Sequence, residues 1–423
     1  MERYPVLHAG IHDFFEEQEL VIDKVQFEYL EGKYTGKGIL TWNPDKGFNL
    51  QSFVTRHGPS MLSESFGGPR MIRKSDLKTI RMIPRRYKRW IIAPNIKLFE
   101  RWDIRMEDRL SININTVIFS SPSKEKPEKY TGRGLYYGIG KNIVLPDSVE
   151  KAIILGNWSM GESAMEGIVL DEPEYQLVSG RRIRDKYLEL IWGLDASYWK
   201  RSHSWIWPQA AAYALSILTG ESVQLLCREV NRGSRIYVEM RRPREISSLG
   251  ILSPFKATYP LDKIRFANLV EFFTKNSIEA KVCRHIFYQM LEASSQKSWQ
   301  ACELLLSSIL EATLRTLQKK PYHPWKRKGR RIDIKQNLRK FCQQYHTSQL
   351  VPFCNKAHEV WERIRHRNAH PDWLYLETEP ISDEWKSESL KDMVFLSRFY
   401  GYMILTLSGQ RDFTPDFPQK PFR

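Results

Sequence analysis

Cysteine is scarce in this sequence, with 5 residues among 423, and no two of them form a Cys-x-x-Cys pair. Two histidine pairs have the spacing His-x3-His, His8 with His12 and His366 with His370, but a zinc finger also needs a Cys-x-x-Cys pair, which the sequence lacks. We therefore expect neither a structural zinc site nor a framework of disulfide bonds. The cysteines are predicted to be small buried side chains in a protein of a reducing compartment. No bound metal and no other cofactor is expected.

Long apolar runs are also missing. The N-terminal stretch lacks the basic segment and the following apolar segment that mark a signal peptide. The longest apolar stretch, at residues 393–409, contains Arg398 and is shorter than a membrane span, so it predicts a buried helix. Internal repeats and low-complexity tracts are absent as well. These features predict a soluble, cytoplasmic protein that has no membrane partner.

Positive charge is what the sequence has in excess. It contains 65 Lys and Arg against 49 Asp and Glu, which gives a net charge of +16. Apolar residues make up 42% and charged residues 27%, as in ordinary globular proteins. Such an excess describes the partners of a protein and not its fold, and it favours nucleic acid or an anionic surface. The length is sufficient for two domains.

The chain changes character near residue 255. Before this point, short alternating runs are separated by Gly, Pro, Asn and Asp, a pattern typical of strands joined by hairpin turns. Examples are a hairpin in GKGILTWNPDKGFNL at 36–50 and a strand in AIILGNW at 152–158. One helix is predicted near 208–218.

After residue 255, apolar residues recur at intervals of three and four, which predicts helices. We predict an α+β protein with a β-rich domain at 1–255 and an all-α domain at 256–423. The helices are expected near 261–275, 278–293, 297–319, 333–345, 351–370 and 386–408.

The most informative segment is AHEVWERIRHRNAHPDW at residues 357–373. Val360 and Ile364 form a narrow apolar stripe, so one side of this helix should be buried. Pro371 disfavours helical conformation at His370, which places His370 at the end of the helix, where the macrodipole stabilises an imidazolium. A histidine that titrates near neutral pH beside guanidinium groups suits chemistry on a phosphodiester. The alternative is an ordinary solvated face at a helix end. The polar residues crowded here are Arg363, Arg365, His366, Arg367, Asn368 and His370.

The run Arg365-His366-Arg367-Asn368-Ala369-His370 resembles the motif of the HEPN superfamily of ribonucleases. That motif is an arginine, a polar residue directly after it, and a histidine that completes Arg-x4–6-His. A final amphipathic helix follows it, here at 382–407, and an earlier helix carries a pattern that Trp299-x-x-x-Glu303 resembles. The resemblance covers about residues 260–410, and the chain departs from the commonest pattern at Pro371. The order of a β-rich domain and a C-terminal HEPN domain also resembles ApeA-like anti-phage proteins.

The resemblance implies metal-independent cleavage of RNA, with tRNA as one candidate. The ribose 2′-OH would attack the phosphorus and leave a 2′,3′-cyclic phosphate. His370 would act as general base or acid, Arg365 would stabilise the phosphate oxygens, and His366 would orient His370 or the substrate. Glu303 is a further catalytic candidate, and its alternative is an exposed carboxylate that pairs with a basic neighbour.

The family also implies a homodimer, because in-line transfer needs both a base and an acid and two copies of the motif would supply them. We expect dimerisation through the α-helical domain and a role as an anti-phage defence or toxin effector. A phage trigger or an antitoxin would then be a further partner. The alternatives are a non-catalytic RNA-binding protein and a purely structural dimerisation protein.

Two basic stretches are candidate RNA-binding segments. Residues 319–340 contain ten Lys or Arg and one acidic residue, with aromatic residues interleaved, and 69–90 is similar. Basic side chains neutralise phosphates and aromatic rings stack on unpaired bases. The alternatives are a mobile solvated loop for the first stretch and one polar face of a sheet for the second. The predicted RNA-binding residues are Arg363, Arg367, Lys326, Arg327, Lys328, Arg330 and Arg331.

Overall fold

The structure, a computed structural model, describes most of the predicted strands and helices. The strand predicted at 152–158 lies outside the described residues except for Trp158. The described residues are 14–29, 32–57, 80–84, 91–93, 109–114, 116–122, 129–139, 158–160, 163–165, 176–184, 186–195, 207–232, 235–241, 263–294, 296, 298–318, 333–369, 383–415 and 417.

Within those ranges, twelve strands form one sheet and two short strands form another. The order in the large sheet is β11-β12-β8-β13-β14-β7-β5-β4-β1-β2-β3-β6, and β9 pairs with β10. The strands are β1 (Gln18–Tyr29), β2 (Gly32–Asn43), β3 (Gly47–His57), β4 (Ile80–Pro84), β5 (Ile91–Ala93), β6 (Arg109–Ile114), β7 (Thr116–Pro122), β8 (Lys129–Ile139), β9 (Trp158–Met160), β10 (Ser163–Met165), β11 (Gln176–Arg184), β12 (Lys186–Asp195), β13 (Gln224–Arg232) and β14 (Arg235–Arg241).

Alternation along the strands decides which face of the sheet is buried. In β2, Leu40 and Trp42 are buried, whereas Ile39, which directly precedes Leu40, is 38% exposed. The Trp42 indole donates a hydrogen bond from Nε1 to the carbonyl oxygen of Phe14 at 3.0 Å. Its ring lies 4.4 Å from that of Phe48, between ring centroids. Since a shift of one residue would expose this whole set, the buried face fixes the register of β1, β2 and β3.

The turn between β2 and β3 is built by two residues. The Asn43 side chain accepts hydrogen bonds through Oδ1 from the backbone N–H groups of Asp45 and Lys46, both at 2.9 Å. Gly47 has a φ of 82°, a conformation that glycine adopts without a steric penalty. The hairpin predicted from this run of sequence is therefore present.

The helices follow the strands along most of the chain, which confirms the α+β class. Each helix end that has described residues on both sides lies within two residues of its predicted position. The helices are α1 (Trp207–Thr219), α2 (Lys263–Thr274), α3 (Ile278–Ser294), α4 (Trp299–Leu317), α5 (Ile334–Gln344), α6 (Val351–Ala369) and α7 (Asp383–Leu407), with a 3₁₀ turn at Ser348–Leu350 before α6.

The chain divides into two compact units that are interleaved along the sequence, whereas the sequence predicted one boundary near residue 255. The β-rich unit comprises 1–137, 172–201 and 224–243, and the helical unit comprises 138–171, 202–223 and 244–423. Helix α1 belongs to the helical unit because it packs on α2. The ring of Tyr213 on α1 lies 5.3 Å from Phe273 and 4.5 Å from Phe287, between centroids.

Helix α4 lies at the centre of the helical unit and contacts α3, α5, α6 and α7. Its residues Leu306, Leu310 and Leu314 are buried at intervals of four, as the apolar spacing predicted. On α7, the Tyr400 hydroxyl donates a hydrogen bond to the carbonyl oxygen of Leu306. The neighbouring Met403 is fully buried, so the apolar stretch at 393–409 is a buried helix as predicted. A search of the described helices finds none with the length and apolar character needed to cross a membrane.

Helix α5, which packs on α6, has a side-chain cap that can be tested. The Asp333 carboxylate accepts a hydrogen bond through Oδ1 from the backbone N–H of Gln336 at 2.8 Å. We expect Asp333→Ala to lower the free energy of unfolding by about 1 kcal/mol, because that N–H loses its partner. Asp333→Asn keeps an acceptor and should cost much less. Urea unfolding followed by circular dichroism at the helical band compares the two, and equal losses would contradict a capping role.

Candidate functional site

The last two turns of α6 divide the charged residues of the predicted motif between two sides. Val360 and Ile364 are 1% and 0% exposed, which confirms the predicted apolar stripe. Arg365 and His366 are exposed, and the Arg365 side chain retains 52% of its accessible surface. The Arg367 side chain retains only 11%. The motif therefore has an outer part, Arg365 and His366, and an inner part that begins at Arg367.

The inner part of the motif contacts a buried carboxylate. Glu303 on α4 is 1% exposed and accepts a hydrogen bond through Oε1 from Nη2 of Arg367 at 2.8 Å. Its Oε2 accepts another from Nδ2 of Asn368 at 2.9 Å. The hydroxyl of Ser389 on α7 also donates to Oε1. Three helices therefore meet at one carboxylate, which stands on α4 and accepts hydrogen bonds from α6 and α7.

The alternative prediction for Glu303 is an exposed carboxylate that pairs with a basic neighbour. Glu303 is buried, so the predicted exposure is wrong, but it does pair with a basic residue, Arg367. Glu303 precedes the buried residues Leu306 and Leu310 by three and seven positions, so it lies on the inner face of α4. A carboxylate there requires a paired charge and several hydrogen bonds. These contacts make Glu303 a residue that positions α6, while its catalytic role stays a prediction.

A second buried carboxylate, Asp392 on α7, joins two arginines of α6. Arg363 donates from Nε to Oδ2 at 3.0 Å and from Nη2 to Oδ1 at 2.6 Å, a bidentate pair. Arg367 donates from Nη2 to Oδ2 at 2.8 Å. The hydrogen bonds to Asp392 raise the pKa of Arg363 above its ordinary value. Arg363 is 49% exposed and can still reach a ligand, whereas the burial of Arg367 disfavours its predicted contact with RNA.

Arg365 is held on the outer side by different groups. Its Nη1 donates to Oε2 of Glu311 on α4 at 2.7 Å, and its guanidinium lies 5.0 Å from the centroid of the Trp361 ring. Glu311 also pairs with Arg315, one turn along α4, at 2.5 Å. One carboxylate thus serves two arginines, and the local excess of positive charge remains.

Several predicted site residues lie outside the described residues. His370 follows Ala369, which is the last described residue of α6. Of the second basic stretch, at 69–90, only residues 80–84 are described. The roles assigned to these residues stay predictions. In the first basic stretch they are Lys326, Arg327, Lys328, Arg330 and Arg331.

Sequence reasoning missed three residues of this site. Ser389 and Asp392 lie three apart on α7 and so share one face of it. Both are polar residues within four positions of the apolar stretch at 393–409, and this place in the sequence could have indicated an internal hydrogen-bonded site. Nothing in the sequence around Glu311 indicated a role in the site, because a charged residue on a half-exposed helix usually contacts only solvent.

Neither a disulfide bond nor a metal-binding group is found among the described residues. All five cysteines are free thiols, and each is buried, as predicted for their side chains. Burial, with the charge of Glu303 as a second cause, raises the pKa of Cys302 to about 11. This thiol is therefore protonated near neutral pH and is a poor nucleophile. Among the residues that the structure describes, no group of three or more His, Cys, Asp or Glu could hold a metal ion.

The buried carboxylate network yields a stability prediction. Glu303→Ala removes the acceptor of Arg367, Asn368 and Ser389 and leaves the Arg367 charge buried beside Asp392 alone. We expect the free energy of unfolding to fall by about 3–5 kcal/mol. Glu303→Gln keeps hydrogen bonding without the charge, so its loss should be smaller, about 1–3 kcal/mol. Urea unfolding by circular dichroism measures both.

Glu362→Ala is the control for this experiment. Glu362 lies on α6, its side chain is 64% exposed, and its removal should change stability by less than about 0.5 kcal/mol. If Glu303→Ala were no more costly than Glu362→Ala, the network would not be what anchors α6.

Comparison with protein-family models finds no matching family, and comparisons with curated proteins and with solved structures find no match either. The chemistry of the site therefore has to follow from the residues and contacts of this chain.

Proposed function

We propose that the chain is a metal-independent endoribonuclease of the HEPN type. The observation that carries this proposal is the division of the motif on α6. Arg365 and His366 face solvent, while Arg367 and Asn368 are tied to Glu303 beneath them. A fixed support beneath an exposed guanidinium is what stabilisation of a transition-state phosphate requires, because preorganised donors need no rearrangement during the reaction.

In the proposed reaction, the 2′-oxygen of a ribose forms a bond to phosphorus and the bond from phosphorus to the 5′-oxygen breaks. The base takes the proton of the 2′-OH, and an acid gives a proton to the leaving 5′-oxygen. His370 fills one of these roles, and His370 of a second copy fills the other. Arg365 stabilises the non-bridging oxygens, for which its planar guanidinium is suited. His366 orients the substrate or His370.

The biological setting follows from the resemblance to ApeA-like proteins. The chain would act in the cytoplasm as a homodimer joined through its helical unit, as an anti-phage defence or toxin effector. RNA, with tRNA as one candidate, is its substrate, and a phage trigger or an antitoxin controls it. The β-rich unit would select the substrate or sense the trigger.

The decisive experiment is cleavage of total RNA by the purified full chain in the presence of EDTA. We expect fragments with cyclic phosphate ends from the wild type. His370→Ala should lower the rate by about 10²–10⁴-fold, because a general base or acid is lost. Arg365→Ala should lower it by about 10²–10³-fold, because charge on the phosphate is no longer stabilised.

Matched controls come from α3. His285→Ala and Lys281→Ala each remove one exposed basic residue of the same unit and should leave the rate unchanged. Cleavage that survives both His370→Ala and Arg365→Ala would refute the assigned site. Salt-sensitive RNA binding with no cleavage, even when the candidate trigger is co-expressed, would favour the alternative of a non-catalytic RNA-binding protein.

The contact between Arg365 and Glu311 generates a separate prediction. Glu311 offsets part of the positive charge that a phosphate would meet, so Glu311→Gln should raise RNA affinity at low salt. One nearby surface charge is worth about 0.5–1 kcal/mol, which corresponds to about 2–5-fold. Fluorescence anisotropy with His370→Ala protein measures the affinity without cleavage. Glu271→Gln, which breaks an ion pair with Lys275 on α2, is the matched control. Equal effects of the two would mean that Glu311 does not act on the site.

A further inference from the structure

The β-rich unit exposes an aromatic ring in the middle of a strand. Phe53 on β3 is 62% exposed, whereas its neighbours Ser52 and Val54 are 4% and 2% exposed. Because side chains alternate along a strand, Phe53 lies on the face opposite the buried core. We call this side of β4, β1, β2 and β3 the outer face. A large aromatic side chain that the core does not bury can contact a ligand.

Basic residues extend from this ring across the outer face toward β4. Lys37 on β2 lies directly opposite Phe53 and is exposed. On β1, a bulge between Ile22 and Val25 places Lys24, also exposed, in the same row. Arg81 on β4 is exposed in the adjacent row. Directly opposite residues have Cβ atoms about 5 Å apart, so one phosphate can contact a lysine while its base covers the ring.

Acidic residues of this face lie mainly toward its ends. Glu28 is exposed and lies opposite Lys33, and Glu19 is exposed at the start of β1. Asp23, which shares the bulge with Lys24, is only half-exposed. The row of Phe53 therefore presents a basic centre, and the net charge of +16 for the whole chain agrees with an anionic ligand.

The backbone beneath the pair formed by Lys37 and Phe53 is unusually close. A Cβ atom at Gly36 would overlap the carbonyl oxygen of Phe53, and one at Gly38 would overlap that of Gln51. Glycine at both positions lets β2 approach β3 more closely than any other residue would allow. The strands that carry Lys37 and Phe53 therefore lie close together at this point.

We propose that the outer face binds single-stranded RNA, with an unpaired base stacked on Phe53 and the adjacent phosphate bound by Lys37. Every base has a π-face, so stacking of this kind tolerates different sequences, while a duplex offers no free base. Polar neighbours such as Gln51 and Thr35 can bond to base edges or to the 2′-OH. The site rests on the proposed function in that RNA is the ligand, and it gives the β-rich unit a role in capturing substrate.

The test uses full-length His370→Ala protein, fluorescence anisotropy and a labelled oligouridylate of about 12 nucleotides, a length that one such surface can cover. Phe53→Ala and Phe53→Leu should both weaken binding by about 5–100-fold, the value of one stacked base. Phe53→Tyr keeps the ring and should bind as tightly as the parent protein. Lys37→Gln should weaken binding and reduce the salt dependence by about one phosphate contact between about 50 and 200 mM salt.

Ile39→Ala is the matched control, since Ile39 is an exposed apolar residue of the same face without a ring. A blunt RNA duplex should be insensitive to all Phe53 variants. Unchanged binding in Phe53→Ala would overturn the proposal, and so would Phe53→Leu binding as well as Phe53→Tyr. Self-association that Phe53→Ala abolishes, with RNA affinity unchanged, would overturn it too and would identify a contact between copies.

Failure of this inference is distinguishable from failure of the proposed function. Ring-dependent binding of single-stranded RNA by a wild-type chain that never cleaves it would support the outer-face site and refute the ribonuclease. If the chain produced cyclic phosphate ends and its RNA affinity did not depend on Phe53, the ribonuclease would be supported and the outer-face site refuted.

Discussion

The contacts of one buried carboxylate, that of Glu303, fix the position of the C-terminal end of α6. Glu303 is taken out of water, and a carboxylate there is tolerated only if charge and hydrogen bonds compensate it. Arg367 and Asn368 from α6 and Ser389 from α7 supply that compensation. Because these donors stand on two different helices, satisfying Glu303 fixes α4, α6 and α7 against one another. The outward position of Arg365 and His366 is consistent with this contact, which turns Arg367 inward.

Because of the geometry of a helix, a buried Arg367 places Arg365 at the surface. Successive residues are about 100° apart around a helix, so Arg365, two positions earlier, lies on the opposite side from Arg367. Arg363, four positions before Arg367, returns to the same side and shares Asp392 with it. The three arginines of one short segment therefore serve different purposes. Arg363 and Arg367 are bound to the buried carboxylates of Asp392 and Glu303, whereas Arg365 lies over Trp361 at the surface and pairs with the partly exposed Glu311.

Both units bury paired charges and expose basic side chains. In the helical unit, the buried carboxylates of Glu303 and Asp392 pair with Arg367, while Arg365 stays at the surface. In the β-rich unit, Arg228 on β13 and Glu239 on β14 form a buried ion pair. The lysines around Phe53 lie on the face opposite Trp42, because side chains alternate along a strand. A buried charge requires a partner in either architecture.

The sequence by itself determined the α+β class, the hairpin at Asn43–Gly47 and the helix ends, because these depend on local periodicity, capping and turn residues. Val360 and Ile364 could be predicted as a buried stripe for the same reason. Only the tertiary structure decided that Glu303 is buried, that Arg367 faces inward and that α1 belongs to the helical unit. Those facts depend on contacts between residues far apart in the chain, such as Glu303 with Ser389 and Tyr213 with Phe287. A single sequence shows the apolar pattern of each helix and strand, but it does not show which of their faces pack against each other.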